Sequence, residues 1–278
     1  MKLQLDPQTA AKLKHIKLLH PNKGVEGTFP DFLIVGPQRT GTTWLEANLR
    51  RHPEIFTAYP KEIYFFSRLL QGDKNRHSKH YYQFDSSKLV RQPVQAGKDL
   101  AKIVYFDYLL TGKADATQLD WYLPYFDHTK RVHKEREKEA QEMYGESFRP
   151  KVFGEATATY ATLHPEIIED ILIINPDIKI ILMVRDPVKR AWSHAKKDLM
   201  RYSKRKFEEV PEEEFIRFFK DDYQLECANY SGHIQKWRSY LPEGNFYVGF
   251  HDDVKNKPED MLLDVFSFLG VTADPKYI

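Results

Sequence analysis

The sequence predicts an α/β fold, a P-loop-like doubly wound sheet, mainly parallel and flanked by helices. Three observations predict it. Apolar runs of strand length at 31–35, 178–184 and 246–250 alternate with longer stretches of helical period, as in a parallel sheet with crossover helices. The first run ends in a loop bounded by Gly36 and Gly41 that opens a helix, the arrangement of an anion-binding loop. The second ends in Arg185-Asp186-Pro187, again ahead of a helix. At 278 residues the chain can bury one large core, and a single domain over 1–278 is expected.

In chain order, residues 1–30 read as an N-terminal extension, with an amphipathic stretch at 10–19 and a Pro/Gly loop at 21–30. The strand at 31–35 gives way at Gly36, and from Thr42 the residues Trp44, Leu45 and Leu49 share one helical face. A second strand at 55–59 ends at Pro60, followed directly by Lys61-Glu62-Ile63-Tyr64-Phe65-Phe66. Residues 67–119 show no clear period; Arg76, His77, Lys79, His80, Tyr81 and Tyr82 form a basic and aromatic cluster there, and a loop or helical lid is expected. An aromatic helical turn at 119–126 precedes a charged helix at 130–143. That helix reads either as a solvated surface helix or as an insertion that recognises an anionic acceptor. Regular alternation then returns: strand 152–155, helix 165–174, the most apolar strand at 178–184, and a helix at 187–200 with Pro187 in its first turn. Helices at 215–219 and 223–241, a strand at 246–250 and a helix at 258–269 stopped by Gly270 complete the chain. The segments 67–119 and 127–150 are expected to be lid or acceptor insertions.

Composition narrows the function. A net charge of +2 is too small for nucleic-acid binding, so attraction for anions must be local. The lone Cys227 excludes intrachain disulfides and cysteine metal sites; a small core residue is expected there. His77, His80, His128 and His133 lack metal-ligand spacing. No apolar run reaches the roughly 20 residues of a membrane span, and residues 1–25 are polar and lysine-rich rather than a secretory signal. A cytoplasmic enzyme is expected, with a lumenal domain separated from its anchor as the alternative.

In a doubly wound sheet ligands sit beyond the strand C-termini, where both loops lie. Free N–H groups and the positive end of the helix dipole converge at the first. Thr42 and Thr43 add hydroxyl donors and Arg39 a guanidinium fork. Gly36 and Gly41 have the spacing of the nucleotide-triphosphate loop, but Thr42 stands where that motif needs its lysine. A nucleoside triphosphate is therefore disfavoured. Arg185 and Ser193, eight residues apart, can converge on one phosphate beside this loop; an Arg185–Asp186 ion pair is the bland alternative.

Pro37-Gln38-Arg39-Thr40-Gly41-Thr42-Thr43-Trp44 resembles the 5′-phosphosulfate loop of sulfotransferases that use 3′-phosphoadenosine 5′-phosphosulfate (PAPS). The segment from Arg185 to Ser193 resembles their 3′-phosphate site. Lys61 to Phe66 is similar to a segment of heparan sulfate sulfotransferases whose glutamate is the proposed base. Trp121-Tyr122 with Phe126, Gly154 to Thr157, Tyr230 with His233 and Trp237, and Phe268-Leu269-Gly270 match further family elements in order. The resemblance implies sulfuryl transfer from PAPS to a hydroxyl, less readily an amine, of a carbohydrate or small molecule. It leaves adenosine 3′,5′-bisphosphate as product, needs no metal, and makes Glu62 the base. Residues 37–44 with Arg185 and Ser193 would hold the donor, Arg39 would also stabilise the leaving phosphate, and Lys61, Tyr64 and Lys197 would face the acceptor. Three departures stand out: Arg39 replaces the usual lysine, Ala156 replaces a second one, and the family's C-terminal donor loop has no counterpart before Ile278. A non-catalytic nucleotide-binding module and an NTP-dependent kinase on the same scaffold are the other readings.

Overall fold

A computed structural model of the protein describes residues 2–3, 27–59, 61–69, 119–127 and 130–278. The amphipathic stretch at 10–19, the cluster at 76–82 and most of the expected lid at 67–119 lie outside the described residues, as does His128.

The sheet forms where the apolar runs are. β3 (Phe32–Val35) has no residue with exposed surface, as expected of a strand covered on both faces. It lies at the middle of five strands, all paired in parallel, in the order β4-β5-β3-β6-β7. The others are β4 (Ile55–Thr57), β5 (Val152–Ala156), β6 (Lys179–Val184) and β7 (Phe246–Phe250). A separate antiparallel pair joins β1 (Lys2–Leu3) to β2 (Gly27–Thr28). After β3 the chain builds β4 and β5 on one side, then crosses to build β6 and β7 on the other. The loop leaving β3 therefore sits at the reversal of strand order, where open α/β sheets bind ligands.

Strand alternation divides the apolar side chains between two faces. Leu33, Val35, Ile180, Leu182 and Val184 join a core with Tyr122, Tyr160, Ile167, Ile171 and Trp237. That face is covered by α2 (Leu119–Tyr122), α4 (Pro165–Ile174) and α8 (Tyr230–Tyr240), in a numbering where α1 is Thr42–Leu49 and α3 is Lys130–Tyr144. Phe32, Ile34, Ile181 and Met183 join the opposite core with Leu45, Leu49, Met261 and Phe266, from α1 and α10 (Pro258–Leu269). The described residues thus form helix, sheet and helix layers.

Two expected helices differ in detail. The stretch 187–200 is α5 (Pro187–Ala195) followed by a π-helical Lys196–Tyr202. The stretch 223–241 is broken into α7 (Asp222–Ala228) and α8. The break falls at Asn229, whose Oδ1 accepts from the Gly232 amide at 3.1 Å, a side chain capping the second helix instead of continuing the first. The charged helix α3 is largely exposed, but Ala140 is buried with Phe148 against Phe56 of the edge strand. Its C-terminal end is fixed through Glu146, which accepts from Lys276 Nζ and Tyr277 Oη, both at 2.6 Å.

Gly36 anchors the loop to the sheet. Its φ is +145°, and a Cβ there would stand 2.6 Å from the Met183 carbonyl oxygen on β6. Gly36→Ala is expected to cost roughly 2–4 kcal/mol from strain plus overpacking, measured by urea unfolding. An unchanged midpoint would contradict this packing.

Candidate active site

The loop places its side chains unevenly. Thr40 is fully buried and donates its hydroxyl to the Pro37 carbonyl at 2.8 Å. Gln38 turns inward, where its Oε1 accepts from Tyr223 Oη at 2.6 Å. Both side chains shape the loop, and Gln38 Nε2 is left buried without a partner. Thr42 is buried, Trp44 half-buried, and Arg39 and Thr43 are exposed. Gly41, with φ +108°, opens α1, which has no side-chain cap and no acidic residue in its first turn. An uncapped helix start leaves free N–H donors for an anion.

Two hydrogen bonds join this loop to the second motif. Arg185 Nη1 donates to the Arg39 carbonyl at 3.0 Å, and Arg39 Nε donates to Ser193 Oγ at 3.0 Å. Asp186 does not take part; it caps α5 by accepting from the Lys189 amide at 2.7 Å. Arg39, expected at the 5′-phosphosulfate, is therefore engaged with the residue expected at the 3′-phosphate. Arg185 Nε is buried without a partner, which leaves a donor for a ligand.

Glu62 follows β4 in the chain, and the residues after it are held over the end of β5, the Ile63 amide donating to Thr157 Oγ1 at 3.1 Å. Glu62 Oε1 pairs with Lys61 Nζ at 3.0 Å, while its Oε2 is buried without a partner. Phe65 and Phe66 anchor this segment in the core, Phe65 stacking on Tyr122 at 4.3 Å between centroids. Tyr64 is half-buried. Ala156 faces the core and offers no polar group, so Lys61 is the amine beside the carboxylate. Lys197 lies over the Tyr202 ring at 4.9 Å, on the π-helical turn. No group of three or more metal-ligating side chains occurs among the described residues.

Three residues near these motifs have no site role in the sequence reading. His251, at the start of the helix after β7, has its Cδ2 3.5 Å from the point where a Cβ on Gly41 would lie, and its Nδ1 is buried without a partner. Burial, with help from Arg185 and Lys255, lowers its pKa, so the imidazole is neutral at neutral pH. Arg190, fully buried, donates to Gln224 Oε1 at 3.0 Å; its place three residues before Ser193 was the available signal. Glu155, 1% exposed, accepts from Tyr122 Oη, Thr157 Oγ1 and Tyr160 Oη.

Burial pushes the Glu155 carboxyl from 4.5 up to about 7. The folded protein therefore keeps a proton there that the unfolded chain releases. This contribution to stability is fully present below about pH 4.5 and is lost as pH rises to about 7. Against Glu155→Gln, wild type is expected to lose about 3 kcal/mol across that window, read by urea unfolding of both proteins at each end. Parallel pH dependence in the two proteins would refute it.

Comparison with known proteins decides the family. Residues 30–275 match the model of the sulfotransferase family. The chain belongs to that family. Similar proteins include the human bifunctional heparan sulfate N-deacetylase/N-sulfotransferase 2, 22% identical over 261 residues, covering 89% of this chain and 23% of that protein. The membrane-associated sulfotransferase kil1 of Dictyostelium discoideum is 32% identical over 66 residues, 24% of this chain and 14% of that protein. The chain thus spans less than a quarter of the length of these two relatives. In structure it is similar to a sulfotransferase from Alicyclobacillus acidocaldarius, with a TM-score of 0.55 at 22% identity, covering 89% of this chain and 83% of the other. This sulfotransferase has no helix among its described residues long and apolar enough to cross a membrane.

Proposed function

We propose that the chain transfers the sulfuryl group of PAPS to a hydroxyl, less readily an amine, of a carbohydrate or small-molecule acceptor, with Glu62 as general base. The observation that carries the donor half is the pair of hydrogen bonds from Arg185 to the Arg39 carbonyl and from Arg39 to Ser193. They unite two anion-binding motifs about 150 residues apart in one place, beside an uncapped helix start.

In this reading Arg185 and Ser193 hold the 3′-phosphate. The backbone of residues 37–42 and the Thr43 hydroxyl hold the 5′-phosphosulfate. Arg39, next to both, exchanges its bond to Ser193 for the donor and offsets charge on the leaving phosphate. The acceptor proton passes to Glu62 Oε2, the oxygen that Lys61 leaves open. An acceptor O–S bond forms as the sulfur–phosphate oxygen bond breaks, and the electron pair leaves with the bisphosphate. Lys61 and Tyr64 flank the acceptor from the β4–β5 side, and Lys197, on the turn after α5, from the β6 side. A carbohydrate acceptor draws support from the names of the heparan sulfate relatives. The single buried thiol suits a reducing compartment, and the membrane-associated relative supports the lumenal alternative.

The test is calorimetric titration with adenosine 3′,5′-bisphosphate and with ATP, each with and without Mg²⁺. PAPS turnover is then measured against a glucosamine-containing polysaccharide, a phenol and a primary alcohol. Metal-independent binding of the bisphosphate, weak ATP binding and sulfation of one acceptor are expected. Tight binding without turnover on any of these would favour a non-catalytic module, and Mg²⁺-dependent ATP use would favour a kinase.

A further inference from the structure

We infer that Glu155 is a positioning residue, whose carboxylate fixes the segment carrying Glu62 through the hydroxyls of Thr157 and Tyr160. The inference deepens, and rests on, the reading of Glu62 as base.

Glu155 lies on β5 opposite Leu33, with its side chain under residues 61–66. Tyr122 Oη donates to Oε1 at 2.5 Å, Tyr160 Oη to Oε1 at 3.0 Å and Thr157 Oγ1 to Oε2 at 2.7 Å. A hydroxyl has one proton and two lone pairs. Thr157 and Tyr160, having given their protons to the carboxylate, present lone pairs on the far side. There Thr157 Oγ1 accepts from the Ile63 amide at 3.1 Å and the Tyr64 amide at 3.5 Å. Tyr160 Oη accepts from the Phe66 amide at 3.3 Å. Three amides in the four residues after Glu62 are thus held by hydroxyls whose polarity one buried carboxylate sets.

A core filler would not be built this way. A buried carboxylate is costly unless fully hydrogen-bonded, and two of the three donors to this one, Thr157 and Tyr160, accept in turn from the Glu62 segment. Protonation reverses one link: the carboxyl becomes a donor, and a hydroxyl receiving that proton must turn its own away, where the amide N–H groups stand. The titratable and charged groups facing Glu155 are Tyr122, Tyr160 and Glu62, with Lys61 paired to Glu62; no described lysine, arginine or histidine hydrogen-bonds it. Burial brings its titration to about pH 7, so the segment loosens as pH falls through neutrality and firms as it rises.

Amide hydrogen exchange on the whole chain, without donor or acceptor, reads this directly. Protection at Ile63, Tyr64 and Phe66, corrected for intrinsic rates, is expected to be lower one unit below about pH 7 than one unit above it. Amides of β3 and β6, which open only with the whole fold, should move the other way, following the loss of global stability as pH rises to about 7. Thr157→Val should lower protection at Ile63 about tenfold, the equivalent of one hydrogen bond, and Thr157→Ser should restore it. In turnover, measured as sulfate released from PAPS with water as acceptor, Thr157→Val should lower kcat and leave the Kd for the bisphosphate unchanged. Glu155→Gln should remove the part of the acid limb centred near pH 7 and leave any part set by Glu62; if it fails to fold, the exchange step in wild type still decides. Protection at 63–66 that ignores both pH and Thr157→Val would overturn the inference. Failure of the base reading is separate: Glu62→Gln would then keep turnover while the exchange behaviour stayed as described.

Discussion

Glu62→Gln is expected to lower kcat for sulfuryl transfer by about 10²- to 10⁴-fold, the usual worth of a positioned general base, with bisphosphate affinity unchanged. The amide keeps the shape of the side chain and an acceptor oxygen for Lys61 Nζ, now at 3.0 Å from Oε1. It loses the capacity of Oε2 to take a proton. Steady-state kinetics on the acceptor found by the panel, with calorimetry for the bisphosphate, separate the two effects. An interaction made only in the transition state lowers kcat and kcat/KM together. Equal loss of donor affinity would mean that Glu62 belongs to the donor site and that another group takes the acceptor proton.

Arg185→Ala should weaken binding of the bisphosphate by roughly 10- to 150-fold, the loss of a charged hydrogen-bonding partner. The substitution removes the Nε that has no protein partner and also frees the Arg39 carbonyl from Nη1. Arg185→Lys should recover only part, since an ammonium cannot reproduce a planar fork. Calorimetry on thermally intact variants is the measurement. Wild-type affinity in Arg185→Ala would remove this residue from the 3′-phosphate site and leave Ser193 and Arg39 as its candidates.

The layers of the fold were legible because they follow local pattern. Unbroken apolar runs made β3 and β6, and Gly36 with Gly41 marked a loop that only unusual backbone angles allow. Helix ends were less so. Asn229 sits inside a stretch of even helical period, and only its bond to the Gly232 amide shows that it starts a new helix. For the candidate site, sequence offers residues to propose and not the contacts between them. Arg39 meets Ser193 across 154 positions, and Gln38 meets Tyr223 across 185. Such pairings arise from strand order, which periodicity does not encode. Glu155 shows the same limit. Its match to a family element was visible, but its role depends on hydroxyls from α2 and from the turn after β5 folding over one carboxylate.

The order β4-β5-β3-β6-β7 carries a last consequence. Glu62 and the hydroxyls beneath it belong to the β4–β5 side, Arg185 and Ser193 to the β6 side, with only the loop after β3 in common. Residues that share no hydrogen-bond partner perturb free energies independently when they are far enough apart. Glu62→Gln combined with Arg185→Ala should therefore give the sum of the single effects within about 0.5 kcal/mol. If the proposed roles hold, such additivity would mean that acceptor choice can be rebuilt on one flank of the central strand while donor recognition on the other stays untouched.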